Sequence, residues 1–126
     1  MYAMRENVGE IWVIDIMKAF VVLLWGHAVA DFGLQSHQMA TYKNRNNQPD
    51  VPPGQKAVAV WPYYLTAHAM IHGAMVYLIT GSVMWGIFET VTHWVLDYLK
   101  TGNYTNPHQD QLGHVIIKLI IALSLT

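Results

Sequence analysis

Residues 11–34 read IWVIDIMKAFVVLLWGHAVADFGL, an apolar run that ends on a histidine and an aspartate four positions apart. Its length is close to the ~20 apolar residues that a helix needs to cross about 30 Å of hydrocarbon. Backbone amides inside a bilayer must be paired within their own segment, so a helix is the expected form. The stretch therefore predicts a membrane-spanning helix that carries His27 and Asp31 towards one end.

Three more apolar stretches follow this first one and complete the predicted architecture. We expect four helices joined by short turns and one polar loop, with bounds near 11–34, 61–80, 83–100 and 107–126 for the helices and 36–57 for the loop. Proline at the second position of 61–80 and at the start of 107–126 is typical of a helix beginning. The sequence predicts an all-α fold, a single membrane domain over 1–126 built as an integral bundle of four transmembrane helices with a polar layer inside it.

Composition agrees with a membrane protein and excludes several other classes. Hydrophobic residues make up 53% of the chain and charged residues 12%, against about 25% charged residues in ordinary soluble domains. The formal net charge of −1 gives no basis for a nucleic-acid partner. The chain has no cysteine, which excludes disulfides and thiolate metal ligands, but it has seven histidines.

A cleaved signal peptide is the alternative interpretation of the first apolar run. Ala28-Val29-Ala30 resembles a small-residue cleavage site. However, Glu6 and Glu10 accompany the basic residue of the amino-terminal region, and Asp15 and Lys18 interrupt the apolar run. These charges favour a retained helix over a signal peptide.

The distribution of basic residues predicts the orientation of the four crossings. Lys43, Arg45, Lys56 and Lys100 all fall on the side of the two loops, 36–57 and 100–109, whereas Arg5 is the basic residue of the terminal side outside the apolar segments. Because cytoplasmic loops carry the excess of Lys and Arg, we expect both loops in the cytoplasm and both termini on the opposite side.

Every predicted helix carries one pair of polar residues four positions apart. The pairs are His27 with Asp31, His68 with His72, His93 with Asp97, and Asp110 with His114. Residues with this spacing lie on one helix face, one turn apart. At 1.5 Å per residue, all eight side chains can meet within a slab roughly 10–15 Å thick at the loop end of the bundle.

A divalent metal is the best explanation of this layer. A single helical histidine is more often a hydrogen-bonded core residue than a ligand, but an aspartate at the centre of a membrane helix costs about 2.5–3.5 kcal/mol. Lys100 is the only obvious cation near Asp31, Asp97 and Asp110. We therefore expect one or two divalent ions per chain, zinc first and manganese or iron as alternatives. Two ions would lie ~3.5–4 Å apart, whereas a single ion would leave the aspartates to orient the imidazoles.

Three motifs resemble an uncharacterised family. HAVADFGLQ at 27–35, HWVLDYLK at 93–100 and DQLGH at 110–114 are together similar to a domain-of-unknown-function family of small bacterial and phage membrane proteins. The resemblance implies a helical protein of the bacterial inner membrane, without an established activity. It implies functional roles for His27, Asp31, Gln35, His68, His93, Asp97, Lys100, Asp110, Gln111 and His114.

The leading functional hypothesis is a metal-dependent hydrolase acting on a lipid or lipid-linked phosphate. The metal would activate water, and Asp31 or Glu89 would accept its proton. The expected substrate-binding residues are Lys100, Lys43, Gln35 and Gln111, although basic residues at this interface are also explained by membrane topology alone. Membrane lipids would surround the protein, which can also form homo-oligomers. His37 and His108 are expected to be solvated loop residues.

Three alternatives use the same residues differently. A divalent-metal transporter or sensor fits His and Asp on membrane helices, but a transporter with only four helices would need a dimer. A b-type haem protein fits facing histidines but leaves the aspartates unexplained. A non-catalytic interaction module would use the polar layer as a hydrogen-bonded clasp.

Overall fold

The computed structural model describes residues 2–125, with side chains described from Val13 onward. The chain in this range is helical and contains no strand. The elements are α1 (Tyr2–Ala28), a π-helical turn (Val29–Gly33), α2 (His37–Tyr42), α3 (Trp61–Thr80), α4 (Val83–Thr101) and α5 (Pro107–Ser124). The all-α class is confirmed, and the helix starts predicted at Trp61, Val83 and Pro107 are correct.

Two predicted boundaries differ from the structure. The first helix begins at Tyr2 rather than near Ile11, because a polar amino-terminal stretch without proline or glycine before Gly9 offers nothing to stop it. The segment 36–57 is not loop throughout, since α2 begins directly after Ser36, whose side chain accepts a hydrogen bond from the Met39 amide at 3.1 Å. This N-cap is the local reason for a short helix in an otherwise irregular polar segment.

Helix ends follow from local sequence. Gly81 closes α3 at a φ of 71°, a left-handed conformation that glycine adopts without cost, and Ser82 then caps α4. Asn106 and Gln109 form a reciprocal capping box at the start of α5. These ends fix where the polar residues of each helix stand along the bundle.

The helices pack side by side into one bundle. α3 and α4 form a close antiparallel hairpin, in which a Cβ added to Gly73 would lie 2.6 Å from the Gly86 carbonyl oxygen. α1 packs against α3 and α5, while α5 also packs against α4. Away from the loops, a small apolar core forms around Leu23, Val76 and Ile121. The polar residues of the four long helices therefore lie between this core and the loops.

Among the described residues, one segment is long and apolar enough by itself to cross a membrane. It is Val13–Gly33, with a mean hydropathy of 1.8. By this criterion of length and composition, the other described helices do not qualify as spans.

Candidate metal centre

The structure brings the polar pairs of all four long helices together. The eight predicted ligands are buried, with relative exposures of 9% or less, and they are joined by Glu89 and two lysines: His27, Asp31, Lys43, His68, His72, Glu89, His93, Asp97, Asp110, His114 and Lys118. Spacing by four residues predicted that each pair shares a helix face. The packing of α1, α3, α4 and α5 turns those faces towards one another.

Asp31 accepts hydrogen bonds from His72 on α3 and Gln111 on α5, and two further imidazoles lie within 3.4 Å of its carboxylate oxygens. Its Oδ1 lies 3.2 Å from His72 Nε2 and 3.3 Å from His68 Nε2. Its Oδ2 accepts a bond from Gln111 Nε2 at 3.0 Å and lies 3.4 Å from His27 Nε2. Asp31 sits on the π-helical turn, whose Leu34 amide donates to the Val29 carbonyl at 2.9 Å. A local widening of this kind is often found at functional sites.

Asp97 is paired with two lysines. Lys43 donates to its Oδ2 at 2.6 Å and Lys100 to its Oδ1 at 3.2 Å. The expectation that Lys100 is the only nearby cation is therefore wrong. Lys43 follows α2, and the 36–57 segment folds back over the bundle so that this lysine is only 5% exposed. Lys43, which the sequence places in a polar segment, is therefore buried in the fold.

Asp110 and His114 extend the cluster onto α5. Asp110 Oδ2 accepts a bond from Lys100 at 2.9 Å, and its Oδ1 lies 3.3 Å from His114 Nε2. His114 Nε2 also lies 3.5 Å from Asp97 Oδ1. Lys100, whose side chain is 25% exposed, thus bridges two carboxylates at the loop end of the cluster.

Glu89 lies at the end of the cluster furthest from the loops and pairs with Lys118, which is not among the predicted site residues. Lys118 donates to Glu89 Oε1 at 2.5 Å, and the side chains are 1% and 0% exposed. The same oxygen lies 3.4 Å from His93 Nδ1 and 4.0 Å from His72 Nδ1. Glu89 therefore contacts the imidazoles from the side away from the loops.

The five buried imidazoles pack closely, and three of them lack a hydrogen-bond partner at both ring nitrogens in the described structure. His72 and His93 are stacked with centroids 3.6 Å apart, and His93 and His114 with centroids 4.1 Å apart. Both ring nitrogens of His68, His93 and His114 are buried without a hydrogen bond in the described structure. Buried polar atoms are normally satisfied, so such a group of unpaired nitrogens calls for a further partner.

The donor atoms are close enough together to share an ion. Three sets have ligand atoms within 4.8 Å of one another: His27, His72, Glu89 and His93; Asp31, His68, His72 and His93; and His93, Asp97 and His114. Zinc–nitrogen bonds of about 2.0–2.1 Å place donors around one ion at most about 4.2 Å apart, so small side-chain shifts suffice. Buried imidazole and carboxylate donors without sulfur suit zinc, manganese or iron.

The predicted substrate-binding residues occupy different places. Lys43 lies inside the cluster and Lys100 at its edge, whereas Gln111 bonds to Asp31 and Gln35 donates to the Asp31 carbonyl oxygen at 3.2 Å. The two glutamines therefore position Asp31. His37 and His108 are exposed, as predicted, but they lie in the first turns of α2 and α5 and not in loops. A loop-face cavity of about 530 Å³ is lined by Lys100, Asn103, Tyr104, Thr105, Asn106, Pro107 and Gln109.

One missed contact had a signal in the sequence and one did not. Lys118 lies four positions after His114, and Glu89 four before His93, so both continue helix faces already identified as polar. Lys43 pairs with Asp97, which lies 54 positions further along the chain. The segment that carries Lys43 has no helical periodicity. No local sequence pattern predicts the contact between Lys43 and Asp97.

Comparison with known proteins identifies the family. No curated protein and no solved structure matches the chain. The family described as "Protein of unknown function (DUF3307)" matches residues 19–126, which include the whole polar cluster. The chain therefore belongs to this uncharacterised family.

Proposed function

We propose that the protein is an integral membrane bundle of four spans that holds divalent metal in its polar layer. The support for membrane insertion is an inside-out distribution of side chains. In the part of the chain with described side chains, buried polar residues outnumber buried apolar ones. Large apolar side chains instead face outward on every long helix, including Trp25 at 67% exposure, Leu78 at 74%, Met84 at 72% and Leu112 at 60%. Lipid is the solvent for which such a surface is suited.

Mean hydropathy underestimates these spans because it averages the two faces of each helix. On α4, Glu89, His93 and Asp97 lower the average, but all three are buried against other helices. On α5, the same holds for His114 and Lys118. Ionisable residues in membrane helices face the bundle interior and pair there, so polar groups in this arrangement are compatible with spanning.

The four-span topology predicts that the two ends of α3 lie on opposite sides of a bacterial inner membrane. Since the chain has no cysteine, Val58→Cys and Val83→Cys each introduce a single thiol, at positions 67% and 60% exposed. In intact cells, an impermeant maleimide is expected to label the Val83 variant, and to label the Val58 variant only after the membrane is opened. Labelling of both from the same side would contradict the topology.

The single observation that carries the metal proposal is the set of unpaired imidazole nitrogens on converging helices. Within the described structure, four carboxylates and three ammonium groups leave the cluster with one net negative charge when the imidazoles are neutral. Charge neutralisation is thus nearly complete without a metal, so the aspartates do not by themselves require one. The imidazoles provide the independent reason, because neutral imidazole is a common ligand of zinc, manganese and iron.

The packing favours a resident ion over a transported one. The polar layer ends at Glu89 and Lys118, and the apolar core around Leu23, Val76 and Ile121 lies beyond it. Each of these three apolar side chains is at most 2% exposed. An ion entering from the loop side therefore meets a closed apolar plug, and transport would require this core to open.

The loop-face cavity supports hydrolysis as the activity of the metal centre. Lys100 lines this cavity and also bonds to Asp97 and Asp110, so its side chain connects the cavity with two candidate ligands. A phosphate in the cavity would accept a charge-assisted bond from Lys100. A divalent ion held by the candidate ligands would supply activation of water and polarisation of the phosphoryl group. Water would then attack phosphorus and the ester P–O bond would break, while Asp31 takes the proton that the water loses and passes it to the departing alkoxide.

The general base in this proposal is Asp31. Glu89 was the other candidate, but it is paired with the Lys118 ammonium group and lies about two helical turns deeper than Asp97, away from the loop-face cavity. Its contacts with His93 and His72 suit a positioning role. Asp31 instead lies near the loop end with an oxygen shared by two imidazoles.

Metal analysis and turnover together test the proposal. Purified protein is expected to contain one or two equivalents of zinc, manganese or iron, and to release inorganic phosphate from a lipid phosphate such as phosphatidic acid in mixed micelles. Removing the ion with chelator should lower the rate about 100-fold or more. Bound metal without phosphate release would contradict the hydrolase and leave the metal centre standing. Folded protein without metal, prepared without chelator, would instead favour a hydrogen-bonded interaction module.

A further inference from the structure

Lys43 reaches the metal centre from a separate part of the chain. We call residues 36–60 the strap, since they contain α2 and cross the loop end of the bundle before α3 begins. Lys43 is the strap residue that enters the cluster, with its ammonium group 2.6 Å from Asp97 Oδ2. At 5% exposure, it has exchanged its hydration for this carboxylate.

The contact places an ammonium group on a candidate metal ligand. Asp97 belongs to the set His93, Asp97 and His114, which we call the Asp97 group. Both of its carboxylate oxygens are engaged by lysines, Oδ2 by Lys43 and Oδ1 by Lys100. An ion bound to this group would share an Asp97 oxygen with one of the two ammonium groups, and the repulsion between the two cations sets them in competition.

The neighbouring set differs in this respect. The set Asp31, His68, His72 and His93, which we call the Asp31 group, contains a carboxylate contacted by imidazoles and the Gln111 amide. Among the described residues, no lysine lies within ion-pair distance of Asp31. The two groups also share His93, so two ions would lie close together. The Asp31 group can therefore bind a cation without competition from a lysine, whereas a cation at the Asp97 group competes with Lys43 and Lys100.

Charge reinforces this difference. The lysines leave the cluster with one net negative charge, so a single divalent ion already makes it positive. A second ion beside three buried ammonium groups would be strongly repelled in an interior of low dielectric. Withdrawal of Lys43 removes one of these positive charges and frees an Asp97 oxygen in the same step.

Resting on the proposed metal centre, we propose that Lys43 is a built-in competitor for a second divalent ion, so that the Asp31 group fills first and the Asp97 group fills only as the strap releases Lys43. The strap has other contacts that keep it in place. Arg45 lies over the Tyr98 ring at 4.0 Å, Asn46 donates to the Thr101 carbonyl at 3.0 Å, and Gln48 accepts from the Trp61 amide of α3 at 3.2 Å. A strap lacking the Lys43 charge should therefore still dock.

Zinc titration of the full chain in detergent tests this competition. Wild-type protein is expected to bind two ions in two separated steps. In Lys43→Met, which keeps the length of the side chain without its charge, the second step should be about 10–100-fold tighter, the range found when a group contacting a metal ligand is altered. Lys56→Met is the matched control, because Lys56 is an exposed lysine of the same strap, and its titration should equal that of wild type.

A second readout does not depend on any variant. Tryptic cleavage after Arg45 in wild-type protein is expected to accelerate as the second equivalent binds, and not with the first. If Lys43→Met does not fold, unchanged cleavage across both equivalents overturns the inference. If both proteins bind zinc with the same affinities, or both bind a single ion, the inference fails while the metal centre stands. If wild type binds no metal, both proposals fall.

Discussion

Lys118→Ala is expected to lower the free energy of unfolding by about 3–5 kcal/mol, because it leaves the Glu89 carboxylate buried without its cation. Glu89 and Lys118 are 0% and 1% exposed, so water cannot replace the lost partner. In the described structure, the second Glu89 oxygen accepts no hydrogen bond, so no donor at that oxygen compensates for the loss of the Lys118 ammonium group. Unfolding in detergent, followed by circular dichroism with chelator present, measures this effect apart from metal binding.

Two further variants serve as controls for the stability change measured in Lys118→Ala. Glu89→Met combined with Lys118→Met removes both charges and is expected to recover most of the lost stability, since a buried ion pair can be replaced by apolar groups at little cost. Lys18→Ala removes an exposed lysine of α1 and should change stability by less than about 0.5 kcal/mol. A double variant as unstable as Lys118→Ala would show that the loss in Lys118→Ala does not come from an unneutralised Glu89 carboxylate.

Local periodicity explains which parts of this protein could be predicted from sequence. The helices and the eight-residue polar layer follow from spacing by four residues on apolar segments, and the positions of Pro62, Gly81 and Pro107 fix the helix ends. Spacing says which face a residue occupies, however, and not which helices that face will meet. The stacking of His93 between His72 and His114 depends on the packing of α3, α4 and α5, which no single segment encodes.

Long-range ion pairs are the part that sequence reading could not supply. Among the residues close to the aspartates in sequence, Lys100 is the only obvious cation. The fold brings a second one, Lys43, to Asp97 from 54 positions away. The strap that carries it has neither an apolar face nor a repeat, so its docking depends on scattered contacts such as Arg45 on the Tyr98 ring. Charge neutralisation inside this helical bundle is therefore a property of the tertiary structure and not of neighbouring positions in the sequence.

His93→Ala is expected to have the largest effect on metal binding, because His93 belongs to every candidate ligand set found in the described residues. Its ring lies 3.6 Å from that of His72 and 4.1 Å from that of His114, so its removal opens the centre of the cluster. Altering a group that merely supports a ligand costs about 10–100-fold in metal affinity, and we expect loss of this shared ligand to exceed 100-fold. Elemental analysis after gel filtration should then find no stoichiometric metal, whereas His108→Ala, at an exposed histidine, should retain the wild-type content. Circular dichroism of both variants shows whether the helices persist. A folded His93→Ala protein with wild-type metal content would exclude the His93-centred cluster as the metal site.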